Sequence, residues 1–217
     1  MNFVRIKVGS KVGALAGFVS KPDGSIVGLS AFHVLSGSNR QIDPFDDIVD
    51  IRDEEQQKWV EFGITKEGIY SRGNATDRDF GVLDFAFFQL NPSLLERVEK
   101  NLNEIPISHF LEMKILTEME NEMVFGYSVI NESRIVGQIS KVFYTGSHNL
   151  FDAEIEIIEG STEDGDSGIL WKDANGRALL MHIRGNSDNN TFKSYGTFIN
   201  RIIANNKLFE WETKQLA

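Results

Sequence analysis

Three kinds of residue that together can activate a nucleophile stand far apart in this chain. Gly165-Asp166-Ser167-Gly168 falls between two predicted strands. By itself it reads as a polar turn, which such residues favour anyway. A serine on a tight turn can also aim its own N–H and a nearby N–H at one oxyanion. Glycine at 165 presents that second N–H with no Cβ in the way. Leu29-Ser30-Ala31-Phe32-His33-Val34-Leu35 puts a histidine at the end of a predicted strand, closely preceded by two small residues. Asp84-Phe85-Ala86-Phe87-Phe88-Gln89-Leu90 opens an apolar strand with a carboxylate. Taken singly, the histidine is an ordinary core or surface residue and the aspartate an ordinary strand-start residue. Their order is His, Asp, Ser, with Asp84 51 residues after His33 and Ser167 83 residues after Asp84. The chemistry such a set performs is proton removal from a hydroxyl as it attacks an acyl carbon.

The elements that must position these residues are short apolar runs separated by turn signals, the pattern of a β-rich fold. Strands are expected at 3–8, 13–19, 25–29, 59–65 and 80–90 in the first half. In the second half they are expected at 123–130, 134–144, 150–157, 169–171, 178–183 and 194–199. Lys21-Pro22-Asp23-Gly24 and Asp173-Ala174-Asn175-Gly176 read as turns. Residues 52–58 read as a solvated loop. Asn91-Pro92 begins a helical spacing of Leu94, Leu95, Val98 and Leu102, so a short helix is expected over 91–102. The connector that follows, at 103–106, divides the chain into lobes 1–105 and 106–217. The tail, 201–215, is helical in composition.

The three motifs resemble those of the trypsin-like, chymotrypsin-fold serine peptidases. Ser30-Ala31-Phe32-His33-Val34 is similar to that family's histidine motif, Asp84 to Leu90 to its aspartate motif, and Gly165 to Gly168 to its serine motif. The likeness extends over roughly Gly13 to Ile202. Ala16-Gly17-Phe18-Val19 followed by Pro22-Asp23-Gly24 looks most like the bacterial, disulfide-free branch. Asp79 opens a similar motif, Asp79-Phe80-Gly81-Val82-Leu83. Asp84 is preferred because Ala86 matches the small residue of the family motif and its apolar run is longer. His109, His148 and His182 lack the small-small-x-His context.

The resemblance implies an all-β fold of two Greek-key β-barrels, here with a short C-terminal helix. His33 and Asp84 would come from the first barrel and Ser167 from the second. Ser167 would be the nucleophile, His33 the general base and Asp84 the group that orients it. The N–H groups of Gly165 and Ser167 would form the oxyanion hole. The substrate pocket would take in Ser161, Thr162, His182, Arg184 and Gly185. Ser161 maps to the pocket floor, so no acid is placed there to hold Lys or Arg. Thr162 and His182 resemble the pair of the glutamate-selective bacterial branch, since a hydroxyl and an imidazole can both donate to a carboxylate. The competing reading makes His182 a buried strand residue. Glu163 and Asp164 argue against an acidic substrate by repulsion. Two departures stand out. Ile169-Leu170 replaces the small residue and proline that often follow the serine motif. Ile183 replaces the serine that usually bonds the aspartate. No activation by a new N-terminal amine is expected.

Composition narrows the class. The 217 residues carry a net charge of -10, with 22 basic and 32 acidic side chains. No basic run is present, which argues against a nucleic-acid partner. With no cysteine, neither a disulfide nor a thiolate metal site can form, which fits a reducing, cytoplasmic setting. No segment has the length and apolarity to span a membrane. Four scattered histidines and no His-Glu-x-x-His argue against a metal, and no cofactor motif appears. The nucleophile elbow Gly-x-Ser-x-Gly is absent. The expected partners are a protein or peptide substrate and a regulatory protein, because a cytoplasmic peptidase must be restrained. The alternative is a peptidase-fold module that binds without cleaving.

Overall fold

The computed structural model describes residues 4–20, 25–36, 46–53, 56–72, 82–94, 117–143, 151–188 and 191–204. Thirteen strands among them form two antiparallel sheets. The first sheet takes β1 (Arg5–Val8), β2 (Lys11–Ala14), β3 (Gly17–Ser20), β4 (Ile26–Ser30), β5 (Ile48–Asp53), β6 (Lys58–Arg72) and β7 (Val82–Leu90). Their order is β2-β1-β5-β6-β7-β4-β3. The two edge strands, β2 and β3, are consecutive in the chain and joined only by Leu15-Ala16. The sheet must therefore curl until its edges meet. Backbone bonds from Leu15 N–H to the Val4 carbonyl (2.9 Å) and from Ala16 N–H to the Leu29 carbonyl (2.9 Å) fasten that corner.

The second sheet takes β8 (Met123–Ser128), β9 (Ser133–Val142), β10 (Ala153–Glu159), β11 (Leu170–Lys172), β12 (Ala178–Asp188) and β13 (Thr191–Phe198). It closes as a barrel in the order β10-β13-β12-β11-β8-β9. Trp171 is its largest fully buried side chain, packed among Ile135, Ile139, Ile155 and Leu180. The core of the first sheet is phenylalanine-rich, with Phe32, Phe62, Phe85, Phe87 and Phe88. That same cluster includes Met181, Ile183, Ile199 and Ile202 from the second half, so the two sheets pack on one another. The fold is all-β and chymotrypsin-like, a curled seven-stranded sheet beside a six-stranded barrel.

Several expectations change in detail. The single strand expected at 13–19 is two strands, broken at Leu15-Ala16. β5 is not among the expected strands. That strand holds Val49 fully buried while Ile48 is 52% exposed, and its acidic residues hid the alternation. It overlaps the loop expected at 52–58. The helix expected over 91–102 begins as a 3-10 turn, Pro92–Leu94, with Asn91 Oδ1 accepting from Ser93 N–H (3.1 Å). Its remainder, the lobe boundary at 105/106 and the turn at 21–24 lie outside the described residues. So does most of the helical tail, of which α2 (Ile199–Ala204) is seen. Arg201 of that helix pairs with buried Asp152, whose other carboxylate oxygen accepts from Phe198 N–H. The hairpin turn at 173–176 is as expected, with Gly176 at φ 79° and Asp173 accepting from Asn175 and Arg177 N–H groups.

Gly168 has φ 103°, and a Cβ there would lie 2.2 Å from the Ala14 carbonyl oxygen. Gly176 also has positive φ, but a Cβ there would meet nothing within 4 Å. Gly168→Ala is expected to cost about 2–4 kcal/mol, strain plus overpacking. Gly176→Ala is expected to cost about 1–2 kcal/mol, from the left-handed backbone alone. Urea unfolding of both variants checks the ranking; equal losses would mean that the Ala14 contact carries no weight.

Candidate active site

His33 does not end a strand. β4 stops at Ser30, and His33 lies in the one-turn helix α1 (Phe32–Leu35). The register Ser30↔Ala86 runs β4 beside β7, so the turn after Ser30 lies near Asp84. Asp84 is 5% exposed and meets His33 twice. Its Oδ1 accepts from His33 N–H (3.0 Å) and its Oδ2 lies 2.6 Å from His33 Nδ1. A carboxylate can only accept, so the Nδ1 proton points at Asp84; in the neutral imidazole Nε2 then carries the lone pair. The backbone bond fixes the start of α1, so the same carboxylate places both the helix and the ring. Asp79 lies outside the described residues.

The chain around Ser167 is pinned from both sides. Ala14 N–H donates to the Ser167 carbonyl (2.8 Å). Gly168 N–H donates to the His182 carbonyl (2.8 Å), and His182 N–H returns a bond to the Ile169 carbonyl (2.8 Å). Ser30 Oγ donates to the Ala14 carbonyl (2.7 Å), the oxygen that Gly168 admits. The serine thus sits at a junction of both sheets. Its Oγ donates to the Ile183 carbonyl (3.2 Å). Ile183 is the extra residue of a bulge, since His182 pairs with Gly196 and Arg184 with Tyr195. Such bulges re-aim groups beside active sites.

The N–H groups of this loop divide clearly. Those of Asp166, Gly168 and Ile169 donate to the carbonyls of Glu163, His182 and Asp166. Those of Gly165 and Ser167 donate to nothing among the described residues. Gly165 holds φ 105°, and a Cβ there would strike Ile130 at 2.8 Å. Two uncommitted N–H groups flanking one residue are what an oxyanion site needs.

The remaining residues predicted for the site fall into two groups. Thr162 lies against Gly185, where a Cβ would come 2.7 Å from Thr162 Oγ1. Ser161 Oγ donates to Glu163 Oε1 (2.9 Å) and accepts from Asn131 Nδ2 (3.2 Å). Arg184 and Gly185 are exposed. His182 is 2% exposed on β12, so its ring is a buried strand residue. Its Nδ1 lies 2.6 Å from Ser194 Oγ, which accepts from Trp171 Nε1 (3.0 Å). The indole donates to Ser194 Oγ, and the His182–Ser194 bond runs in either direction with the tautomer: where Nδ1 accepts from the serine hydroxyl, the imidazole proton resides on Nε2. Burial pushes His182 down to about 3, and the nearby His33 acts in the same direction. Segment 194–197 is also expected beside the pocket by the family resemblance, and the pairing of β12 with β13 brings Ser194 under His182.

No family model and no curated protein matches the sequence. Solved structures do. The Rv3671c protease from M. tuberculosis in its active form superposes with TM-score 0.55 at 18% identity, covering 97% of this chain and 81% of that one. The inactive form of the same protein with a serine-to-alanine substitution gives TM-score 0.55 at 16% identity, covering 99% and 89%. A further inactive form gives TM-score 0.54 at 19% identity, covering 95% and 88%. These likenesses establish the fold. Among the described residues no group of three or more His, Cys, Asp or Glu could hold a metal ion, and no helix is long and apolar enough to cross a membrane.

The His182 environment fixes a pH dependence. The folded group binds its proton only near pH 3, whereas the unfolded group binds it near 6.5. Between those values the unfolded chain holds more protons, so stability falls as pH falls, by about 1.4 kcal/mol per unit. His182→Gln is expected to have a shallower loss than wild type from pH 6.5 to 4 in urea titrations. Parallel curves would show that His182 does not titrate as its burial requires.

Proposed function

We propose that the chain is a serine endopeptidase that works through an acyl-enzyme. The observation that carries the reading is the His33–Asp84 pair on one sheet together with the two uncommitted N–H groups beside Ser167 on the other. Ser167 Oγ would attack the scissile carbonyl while His33 Nε2 takes its proton. The Gly165 and Ser167 N–H groups would hold the oxyanion. Collapse of the tetrahedral intermediate breaks the C–N bond, and the His33 proton goes to the leaving amine. Water, deprotonated by His33, then releases the acyl group. Asp84 would hold the tautomer and stabilise the imidazolium. Among the described residues no hydrogen bond joins Ser167 to His33, so attack requires the hydroxyl to rotate off the Ile183 carbonyl. Catalytic bonds in unliganded sites are commonly loose and tighten with substrate.

The substrate-side residues favour an acidic residue before the scissile bond. With its proton on Nε2, a neutral His182 would offer a donor there, and Thr162 a hydroxyl at Gly185. The Glu163 carboxylate, which would repel such a substrate, is partly engaged by Ser161 and Asn131. Matched peptides differing only in Glu, Lys or Phe at that position check both levels of the proposal. Hydrolysis is expected to be fastest after Glu, to vanish in Ser167→Ala and to fall about 10⁴-fold in Asp84→Asn. Faster cleavage after Phe or Lys would overturn the preference. No hydrolysis by well-folded wild type would favour the binding-module alternative.

A further inference from the structure

Asp166 is a fully buried carboxylate next to the nucleophile. None of its hydrogen bonds comes from a cationic side chain. Its Oδ1 accepts from Val129 N–H (2.8 Å) and Ile130 N–H (3.2 Å). Its Oδ2 accepts from Ser128 Oγ (2.7 Å) and Glu163 N–H (2.9 Å). All four donors are neutral, and a buried charge without a cation is costly. The turn that supplies three of them is held from its other side by Arg5 of β1. Arg5 Nε donates to the Val129 carbonyl (2.6 Å) and Nη2 to the Ile130 carbonyl (3.3 Å). Nη2 also donates to Glu132 Oε1 (3.1 Å).

The two sets of bonds share their peptide units. The Val129 carbonyl and the Ile130 N–H are opposite ends of one peptide, with Arg5 on the oxygen and Asp166 on the hydrogen. The Ile130 carbonyl and the Asn131 N–H are the ends of the next. Arg5 is on that oxygen, and Asn131 N–H donates to Ser128 Oγ (2.9 Å), which passes its own hydrogen to Asp166 Oδ2. Two relays therefore run from one guanidinium to the two oxygens of one carboxylate. Each peptide is polarised in the direction that strengthens its bond to Asp166, the cooperative case for chained hydrogen bonds. Ile130 also packs against Gly165, where a Cβ would come 2.8 Å from Ile130 Cδ1.

We infer that Arg5 is a positioning residue for the oxyanion site, strengthening the hydrogen bonds to Asp166 through two peptide units and so fixing the 165–167 loop with no cation at the carboxylate itself. The inference rests on the peptidase reading for its kinetic consequence and on the relay geometry alone for its structural one. It makes the β1 strand of the first sheet a determinant of the loop carried by the second.

The test compares wild type with Arg5→Met, which keeps an apolar stem, and Arg5→Lys, which keeps the charge without the fork. Ser128→Ala serves as a further variant that cuts only the Oδ2 relay. In Arg5→Met kcat is expected to fall about tenfold with KM little changed, and affinity for a peptide aldehyde, whose adduct uses the oxyanion site, to fall in parallel. Arg5→Lys should recover part of both. Amide hydrogen exchange at Gly165 and Ser167 should quicken in Arg5→Met and in Ser128→Ala, a readout that holds even if wild type hydrolyses no peptide. A folded Arg5→Met with wild-type exchange at both amides would overturn the relay. An Arg5→Lys no better than Arg5→Met would overturn the role of its charge.

Discussion

The structure turns on how closely the β2 strand of the first sheet approaches the serine loop of the second. Ala14 gives its N–H to the Ser167 carbonyl, and its own carbonyl oxygen occupies the space that Gly168 leaves empty. Gly13 sits as close, with no room for a Cβ between Val34 and the Ser167 carbonyl. Val34 belongs to the short helix that carries His33. The serine loop, the edge strand and the histidine helix thus meet around Gly13 and Gly168, at a place where only small residues fit. A close-packed interior transmits such constraints because it has few voids to absorb a shift. This contact adds to the shared apolar core in fixing the His33–Asp84 pair on one sheet relative to Ser167 on the other.

The buried carboxylates Asp84, Asp166 and Asp152 are used in different ways. Asp84 takes both of its bonds from His33 and so ties a backbone turn to a ring orientation. Asp166 takes its bonds from backbone and hydroxyl donors that come mainly from the Ser128–Ile130 turn, and that turn is in the grip of Arg5. Asp152 pairs with Arg201 and caps the end of β13, and burial pushes its carboxyl up to about 6 despite that partner. Buried carboxylates hold the helix α1, the serine loop and the C-terminal helix α2. In a chain without cysteine, these polar anchors do the joining that disulfides do elsewhere.

What was legible in the sequence follows the range of the interactions. The strands of the second half were readable because their alternation is strong, as in β10, where Ala153, Ile155 and Ile157 face inward. The split at Leu15-Ala16 was not, because the apolar run is continuous and only closure of the sheet breaks it. β5 was missed because Asp50 and Asp53 resemble loop residues. His33, Asp84 and Gly165 to Gly168 were readable as motifs because their chemistry demands local neighbours. Gly165 and Gly168 need positive φ, and Ala86 gives β7 a small residue opposite Ser30 and against Gly68. Ser128 and Arg5 were not legible. Ser128 acts on a residue 38 positions away, and Arg5 reaches across more than 120. Nothing in their own segments marks them.

The central claim is that Ser167 is an activated nucleophile, made so by His33 and the two N–H groups beside it. Labelling by a fluorophosphonate probe tests it most directly, because the probe phosphonylates a serine only where base and oxyanion donors act together. The account predicts stoichiometric labelling of folded wild type, mapped to Ser167, abolished in Ser167→Ala and strongly slowed in His33→Ala. Absence of labelling in well-folded wild type, or labelling that persists in Ser167→Ala, would contradict it.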